Sequence, residues 1–254
     1  MRNIFLIAGI TYKEALRNKL LNILLLFAIL AIASTRFFTI FAPSEELKII
    51  QDTSLGIIRF IGMLITVFIT GALLPREIER RTITTILSKP VSRAQFLFGK
   101  FCGALYAIFI NLIIMGVLLN IIIYLKGRMF NVEIVKALVL MGMEFVVLCA
   151  ITLCVSTIAS EIFNIIFGIL IFITGHLTNY LQHLADRFDS IAMKGLLSFL
   201  YAILPNFENF NVQNAVVLGT EVSLRYVGKA MTYGAVYTAV MLMLGYLFFA
   251  ERQV

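Results

Sequence analysis

Long apolar runs, separated by short polar breaks, occupy most of the chain. They cover about 21–42, 55–75, 97–125, 135–158, 162–184 and 230–250. Each is close to the length that crosses a bilayer as a helix, about 20 residues at 1.5 Å per residue. Two stretches break the pattern. In residues 4–20 the charges Lys13, Glu14, Arg17 and Lys19 interrupt the apolar positions. Ala8, Tyr12, Ala15, Leu16 and Leu20 fall on one side of a helical wheel, and Thr11, Lys13, Glu14, Arg17 and Asn18 on the other. That segregation predicts an amphipathic helix lying in the membrane interface, not a cleaved signal peptide. Residues 185–229 contain GLLSFLYAIL, stopped by Pro205. This run is too short to span, so it predicts an external re-entrant or interfacial helix with Phe207 and Phe210 as anchors in the outer leaflet. The expected fold is an all-α polytopic membrane protein with six transmembrane helices, forming a single transmembrane domain over 1–254. No internal repeat or disordered linker is visible.

Composition strengthens this reading. Of 254 residues, 61% are hydrophobic and 14% charged, with a mean hydropathy of +0.98. Soluble domains average about 45–50% apolar and about 25% charged. The net charge of +7 would suggest a nucleic-acid partner in a soluble protein. In a membrane protein it predicts basic loops held against anionic lipid, and no nucleic acid. Arg2, Lys13, Arg17 and Lys19 precede the first span, and the loop at 76–100 holds Arg76, Arg80, Arg81, Lys89, Arg93 and Lys100. The intervening loop holds only Lys48, beside Glu45, Glu46 and Asp52. The bias predicts cytoplasmic N- and C-termini and a cytoplasmic charged loop. Later outside loops carry Lys126, Arg128, Lys136, Arg187, Lys194, Arg225 and Lys229; the early spans are weighted more heavily. Cys102, Cys149 and Cys154 sit in apolar runs and predict small buried hydrophobes, with no metal or disulfide framework.

The loop at 76–100 is patterned. Ile78, Thr82 and Ile86 line one helical stripe, with Ile83 and Leu87 beside it and charges elsewhere. Lys89-Pro90 stops this helix, because proline disfavours the helical conformation in the residue before it. Ser92 and Gln95 then have the S-x-x-Q spacing of a capping box, flanked by Val91 and Phe96 as a hydrophobic staple. The prediction is a rigid helix–turn–helix; a solvated, lipid-facing loop is the alternative that composition leaves open.

The string E-R-R-T-I-x-x-I-L-S-K-P-V-S-R-x-x-F-x-x-G-K, from Glu79 to Lys100, resembles the first cytoplasmic loop of permease subunits in the second class of ATP-binding-cassette exporters (the type V exporter fold). In particular it resembles the branch associated with multi-copper enzyme maturation. LPNFENFNV at 204–212 is similar as well. The resemblance implies a coupling helix at 77–88 that docks on a separate ATPase subunit. Glu79, Arg80 and Arg81 would make polar contacts and Ile83, Ile86 and Leu87 an apolar footing, with Thr82 and Pro90 in the same motif. It also implies two ATPase subunits, a second permease subunit, and a bacterial or archaeal cytoplasmic membrane. The substrate path would run between permeases, along 55–75 and 162–184, where Thr66 and Thr70 are candidate lining residues. The chain has no G-x-x-x-x-G-K-[ST] phosphate cradle: Phe101 follows Gly99-Lys100, and Ala230 follows Gly228-Lys229. ATP and Mg are therefore expected in the partner chain, and no cofactor or catalytic residue in this one.

Ionisable residues inside spans are functional candidates. Glu144 is the foremost, expected either to pair with a basic group on a neighbouring helix or to be protonated. Arg36 and Arg59, nearer the outer ends of their spans, are expected to snorkel. His176 and His183 share a helix face with Asn179 beside them and predict a polar lining near the outer mouth. Two residues two turns apart on one straight helix do not chelate one ion, so no metal is expected. Met141, Met143, Met241 and Met243 read as core filler rather than a copper relay. Two other classes were weighed. An intramembrane enzyme would need convergent polar residues, but H-E-x-x-H and G-x-S-x-G are absent. An ATP-independent secondary transporter would favour paired broken helices and internal repeats, and neither is visible.

Overall fold

Asparagine competes with the helix for backbone hydrogen bonds, and Asn18 ends the first one. Its Oδ1 accepts from the Leu20 amide at 3.0 Å, and the Asn22 side chain donates to the Leu16 carbonyl at 3.2 Å. Helix α1 (Arg2–Leu16) therefore gives way to α2 (Lys19–Phe38) across a 65° bend. The single helix expected over 4–20 is corrected to two, with Lys19 and Leu20 already in α2. The computed structural model describes residues 2–38, 45–79, 92–127, 131–180 and 191–251. The side chains of Arg36, Ile78 and Glu79, and all of 80–91 and 181–190, lie outside the described residues.

The remaining elements are α3 (Glu46–Leu73), α4 (Pro75–Glu79), α5 (Arg93–Gly127), α6 (Val132–Ser156), α7 (Glu161–His176) and α8 (Ile191–Ile203). A 3₁₀ turn (Phe207–Phe210), α9 (Gln213–Val217) and α10 (Leu224–Glu251) follow. Among the described residues there is no strand. Pro75 opens α4 at the first helical position, where its missing N–H costs nothing. Asn131 caps α6 by accepting from the Glu133 amide at 2.9 Å.

Among the described residues four helices are long and apolar enough to cross a membrane: α3 together with α4, α5, α6 and α10; the bent pair α1–α2 makes a fifth. Helix α7 has 16 residues, about 24 Å at 1.5 Å per residue, short of a hydrocarbon core of about 30 Å. Leu177 caps it, its amide bonded to the Thr174 carbonyl at 3.0 Å.

Helix α6 is the hub. It is apolar on every side, the pattern of a helix surrounded by protein, and it packs on α3, α5, α7, α9, α10 and the 3₁₀ turn. Leu140, Phe145, Leu148 and Cys149 are all fully buried. Helix α10 is peripheral. Its buried positions Ala230, Gly234, Thr238, Leu242, Gly245 and Phe249 form one narrow seam. That seam lets its backbone approach α6, as small residues do between membrane helices.

Helix α1 lies on α5 in the same way. A Cβ on Gly99 would fall 2.8 Å from Ile7 Cβ, and one on Gly103 would fall 2.6 Å from the Ala8 carbonyl oxygen. Thr11, expected on the polar side of the wheel, is instead buried against Gly103. A two-sided wheel separates polar from apolar positions only; here α1 meets protein, solvent and lipid, and its protein face takes the small residues. Phe5, Leu6 and Ile10 remain exposed.

Gly103→Ala is expected to lower the unfolding midpoint in detergent by the equivalent of about 1–3 kcal/mol, because backbone is what it meets. Gly9→Ala, with nothing within 4 Å of the added Cβ, should not lower it. Equal effects would contradict the close α1–α5 packing.

Candidate functional site

Two polar clusters mark opposite ends of the bundle. The elbow end carries the α3–α4 turn and the start of α5; the cap end carries residues 204–223.

At the cap end, α3, α6 and α7 each contribute one ionisable residue. Glu144, midway along α6, is completely buried. Arg59 Nε on α3 lies 3.5 Å from its Oε2, and His176 Nε2 at the end of α7 lies 3.3 Å from its Oε1. The other ring nitrogen of His176 faces the Phe172 carbonyl at 3.1 Å. Arg59 was expected to snorkel outward. Its side chain is only 11% exposed and turns inward, because a buried carboxylate without a counter-charge costs more than extending toward water gains. The Arg59 guanidinium also donates from Nη1 to Asn211 Oδ1 at 2.7 Å and to Gln213 Oε1 at 3.4 Å. Asn211 in turn donates to both Glu208 oxygens, at 3.1 and 3.3 Å. Gln213 ties back to α3, donating to Asp52 Oδ1 at 2.7 Å.

The segment 204–213 is thus a cap clamped onto the ionic cluster. Phe207 and Phe210, expected as outer-leaflet anchors, are both fully buried. Phe207 packs on Phe172 and His176 with ring centroids 5.9 Å away in each case, and Phe210 packs beside Tyr233 and Gly234. Glycine makes the room: a Cβ on Gly175 would sit 2.4 Å from the Phe207 ring. Asn179 holds the cap by accepting from the Asn206 amide group at 2.9 Å, and the Asn206 backbone N–H donates to Tyr233 Oη at 2.9 Å. His183 lies outside the described residues.

Between the ends runs a buried column of threonines. Thr66 and Thr70 donate to the carbonyls of Gly62 and Thr66, at 2.8 and 2.7 Å. The Thr70 and Thr152 hydroxyls approach to 2.5 Å, and Asn164 donates to the Thr152 carbonyl at 2.9 Å. Thr66, Thr70, Thr152 and Asn164 are all buried, joining α3, α6 and α7 within the subunit.

At the elbow end, Arg76 grips Glu161 with two bonds, Nε to Oε2 at 2.8 Å and Nη2 to Oε1 at 2.5 Å, fixing α4 to α7. Glu77 pairs at 2.5 Å with Lys100, which is 3% exposed, fixing α4 to α5. Ser92 Oγ accepts from the Gln95 amide at 3.2 Å, and Gln95 Oε1 accepts from the Ser92 amide at 3.4 Å. Arg93 donates to the carbonyls of Phe249 and Ala250 at 2.8 and 2.7 Å, fixing the start of α5 to the end of α10. Arg80, Arg81, Thr82, Ile83, Ile86, Leu87 and Pro90 lie outside the described residues, as does the Glu79 side chain.

Sequence reasoning missed the partners of Arg59, the Arg76–Glu161 and Glu77–Lys100 pairs, and the roles of Thr152 and Asn164. One signal was present: an arginine in the second apolar run and a glutamate in the fourth, followed by the polar run NFENFNVQN. Among the described residues no group of His, Cys, Asp or Glu side chains is placed to hold a metal ion.

These features define an all-helical integral membrane protein with internal charge clusters at both ends. Residues 7–254 match the family model described as ABC-2 family transporter protein, and the chain belongs to that family. It is an ABC-2 type permease, a membrane transport component whose family context is an ABC transporter with an ATPase partner. No curated protein matches the chain.

Arg59→Met alone should destabilise the protein by about 3–5 kcal/mol, since it strands a buried carboxylate. Arg59→Met with Glu144→Met should recover most of that loss. Chemical unfolding of the single and double variants in detergent checks this; additive losses would contradict the pairing.

Proposed function

We propose that the chain is the transmembrane subunit of an ATP-driven exporter, moved by an ATPase on a separate polypeptide. The observation that carries this reading is the double clamp on α4. The predicted docking segment follows directly after a short helix tied to α5 through Glu77–Lys100 and to α7 through Arg76–Glu161. A helix held at two points cannot tilt without moving both neighbours. Family membership and the loop motif support the same reading.

On this reading α2, α3, α5, α6, α10 and the segment that holds α7 are the six crossings of a single permease domain over 1–254. The elbow end and both termini face the cytoplasm, in a bacterial or archaeal inner membrane. The coupling helix occupies 77–88. Glu79, Arg80 and Arg81 meet polar groups of the ATPase, Ile83, Ile86 and Leu87 seat in its cleft, and Thr82 and Pro90 shape the helix and its end. Two ATPase subunits bind ATP and Mg, and a second permease subunit completes the complex. ATP binding closes the ATPase pair and shifts the coupling helix. The α4 clamps pass that shift to α5 and α7, and the path between permeases changes its access. The loop motif favours the branch associated with multi-copper enzyme maturation.

In a reconstituted complex, Ile86→Asp should leave insertion and the unfolding midpoint unchanged. It should lower permease-dependent ATPase stimulation on the order of tenfold, the factor that about 1.4 kcal/mol of lost docking energy carries. Unchanged coupling together with unchanged pull-down of the ATPase would exclude the docking role.

A further inference from the structure

We propose that Glu144 and His176 together bind one exchangeable proton inside the bundle, and that this proton decides whether the 204–213 cap stays locked on Arg59. The argument is one of donors and acceptors. Both ring nitrogens of His176 face oxygens: Nδ1 the Phe172 carbonyl at 3.1 Å, Nε2 the Glu144 carboxyl at 3.3 Å. A neutral imidazole carries a single N–H and can donate to only one of them. The second contact closes no hydrogen bond and, without another proton, sets the Nε2 lone pair against a carboxylate oxygen. The proton that relieves it sits either on the ring, as imidazolium facing carboxylate, or on Glu144, as a carboxylic acid facing Nε2. In both forms the pair holds one proton more than a neutral ring beside a carboxylate.

Arg59 is the other group beside the Glu144 charge. Among the described residues neither of its oxygens closes a hydrogen bond, and neither do His176 Nε2 or Arg59 Nε. The wider cluster points the same way. Glu208, on the turn above, is linked to Arg59 through Asn211, which accepts from the guanidinium and donates to both Glu208 oxygens. Among the described residues, two carboxylates then share the permanent cation Arg59, Glu144 beside it and Glu208 through Asn211. The added proton balances that charge. The other groups turned toward the cap are Asp52 on α3, bonded to Gln213, and Tyr226 and Tyr233 on α10, bonded to the carbonyl of Asn209 and the amide of Asn206. The way in is His176, whose side chain is 20% exposed while Glu144 has no exposure.

The link to the cap runs through Arg59. Its guanidinium is divided between Glu144 on one side and Asn211 with Gln213 on the other. With the proton present, His176 shares the Glu144 charge and Arg59 holds the cap. With the proton lost, Arg59 is the sole counter-charge for Glu144 and is drawn inward, and the 2.7 Å bond to Asn211 lengthens. Acid locks the cap and alkali loosens it. The device needs no ATPase, so it stands or falls separately from the transport reading.

The test uses the full chain in lipid nanodiscs, titrated from about pH 5 to about pH 8, the range in which histidine changes charge. Three quantities are followed: amide exchange of 206–217 corrected for its intrinsic rate, the side-chain ¹⁵N spectrum, and the infrared band of protonated carboxyl. The chain has two histidines, and His183→Gln assigns the His176 signal by difference. The expected result is a tenfold or greater loss of cap protection with rising pH. It should coincide with loss of the second ring proton or of a carboxyl band that Glu144→Gln abolishes. His176→Gln, which removes the ring that shares the proton, should shift or flatten the transition, and the double variant His176→Gln with Glu144→Gln should keep its cap protection flat. A wild-type cap indifferent to pH, a cap that responds while neither ring nor carboxyl titrates, or the wild-type slope in the double variant would overturn the proposal. The wild-type measurements decide the matter even if a variant fails to fold.

Discussion

A carboxylate set midway along a largely buried helix, with no exposure of its own, cannot reach water, so its counter-charge must come from within the bundle. Glu144 imposes that condition here. Helix α6 is the surface on which α3, α7, α9, α10 and the cap assemble, and burial of an unpaired ion in such a place costs several kcal/mol. The condition fixes the register of α3, which must bring Arg59 to the level of Glu144, and of α7, which must end with His176 beside it. It also explains why a polar stretch as unlike a membrane segment as NFENFNV folds inward. Asn211 and Gln213 satisfy the part of the guanidinium that Glu144 does not, and Phe207 and Phe210 fill the space around it.

At the other end the polar contacts pass to a partly different set of helices, with α7 taking part at both ends. Helix α3 runs into α4 through the turn at Leu74, and α4 is held to α5 and α7 by ion pairs that include the almost wholly buried Lys100. Between the two charged ends, α3, α6 and α7 are joined by the Thr70–Thr152–Asn164 contacts in a core without exposed polar groups. Close-packed interiors yield little to compression and pass displacement on rather than absorbing it. On the proposed function, a push received at the elbow and a latch at the cap are therefore two ends of one stiff body.

Much of this architecture was legible because its signals are local. Runs of apolar residues marked α3, α5, α6 and α10, since length and hydropathy are read within one segment. The reciprocal bonds of Ser92 and Gln95 follow from a spacing of three residues, and the family was legible in one contiguous motif from Glu79 to Lys100. What escaped depends on distance along the chain. Arg59 and Asn211 are 152 positions apart, and Arg76 and Glu161 are 85 apart, so no local pattern announces either pair. Phe207 and Phe210 were misplaced because a lipid anchor and an interior plug have the same composition; only the glycines opposite them, Gly175 and Gly234, distinguish the two. The break at Asn18 was missed for a related reason: a wheel drawn through it hides the change of axis.

The central claim is that work enters this subunit at its elbow from another polypeptide. A photo-crosslinking residue placed at Ile83, in the full chain and in native membranes, tests it most directly, with Leu218 at the cap end as the comparison. The account predicts that Ile83 captures a nucleotide-binding polypeptide and that Leu218 does not. Capture of such a polypeptide from Leu218, or of nothing but lipid and copies of this chain from Ile83, would contradict it.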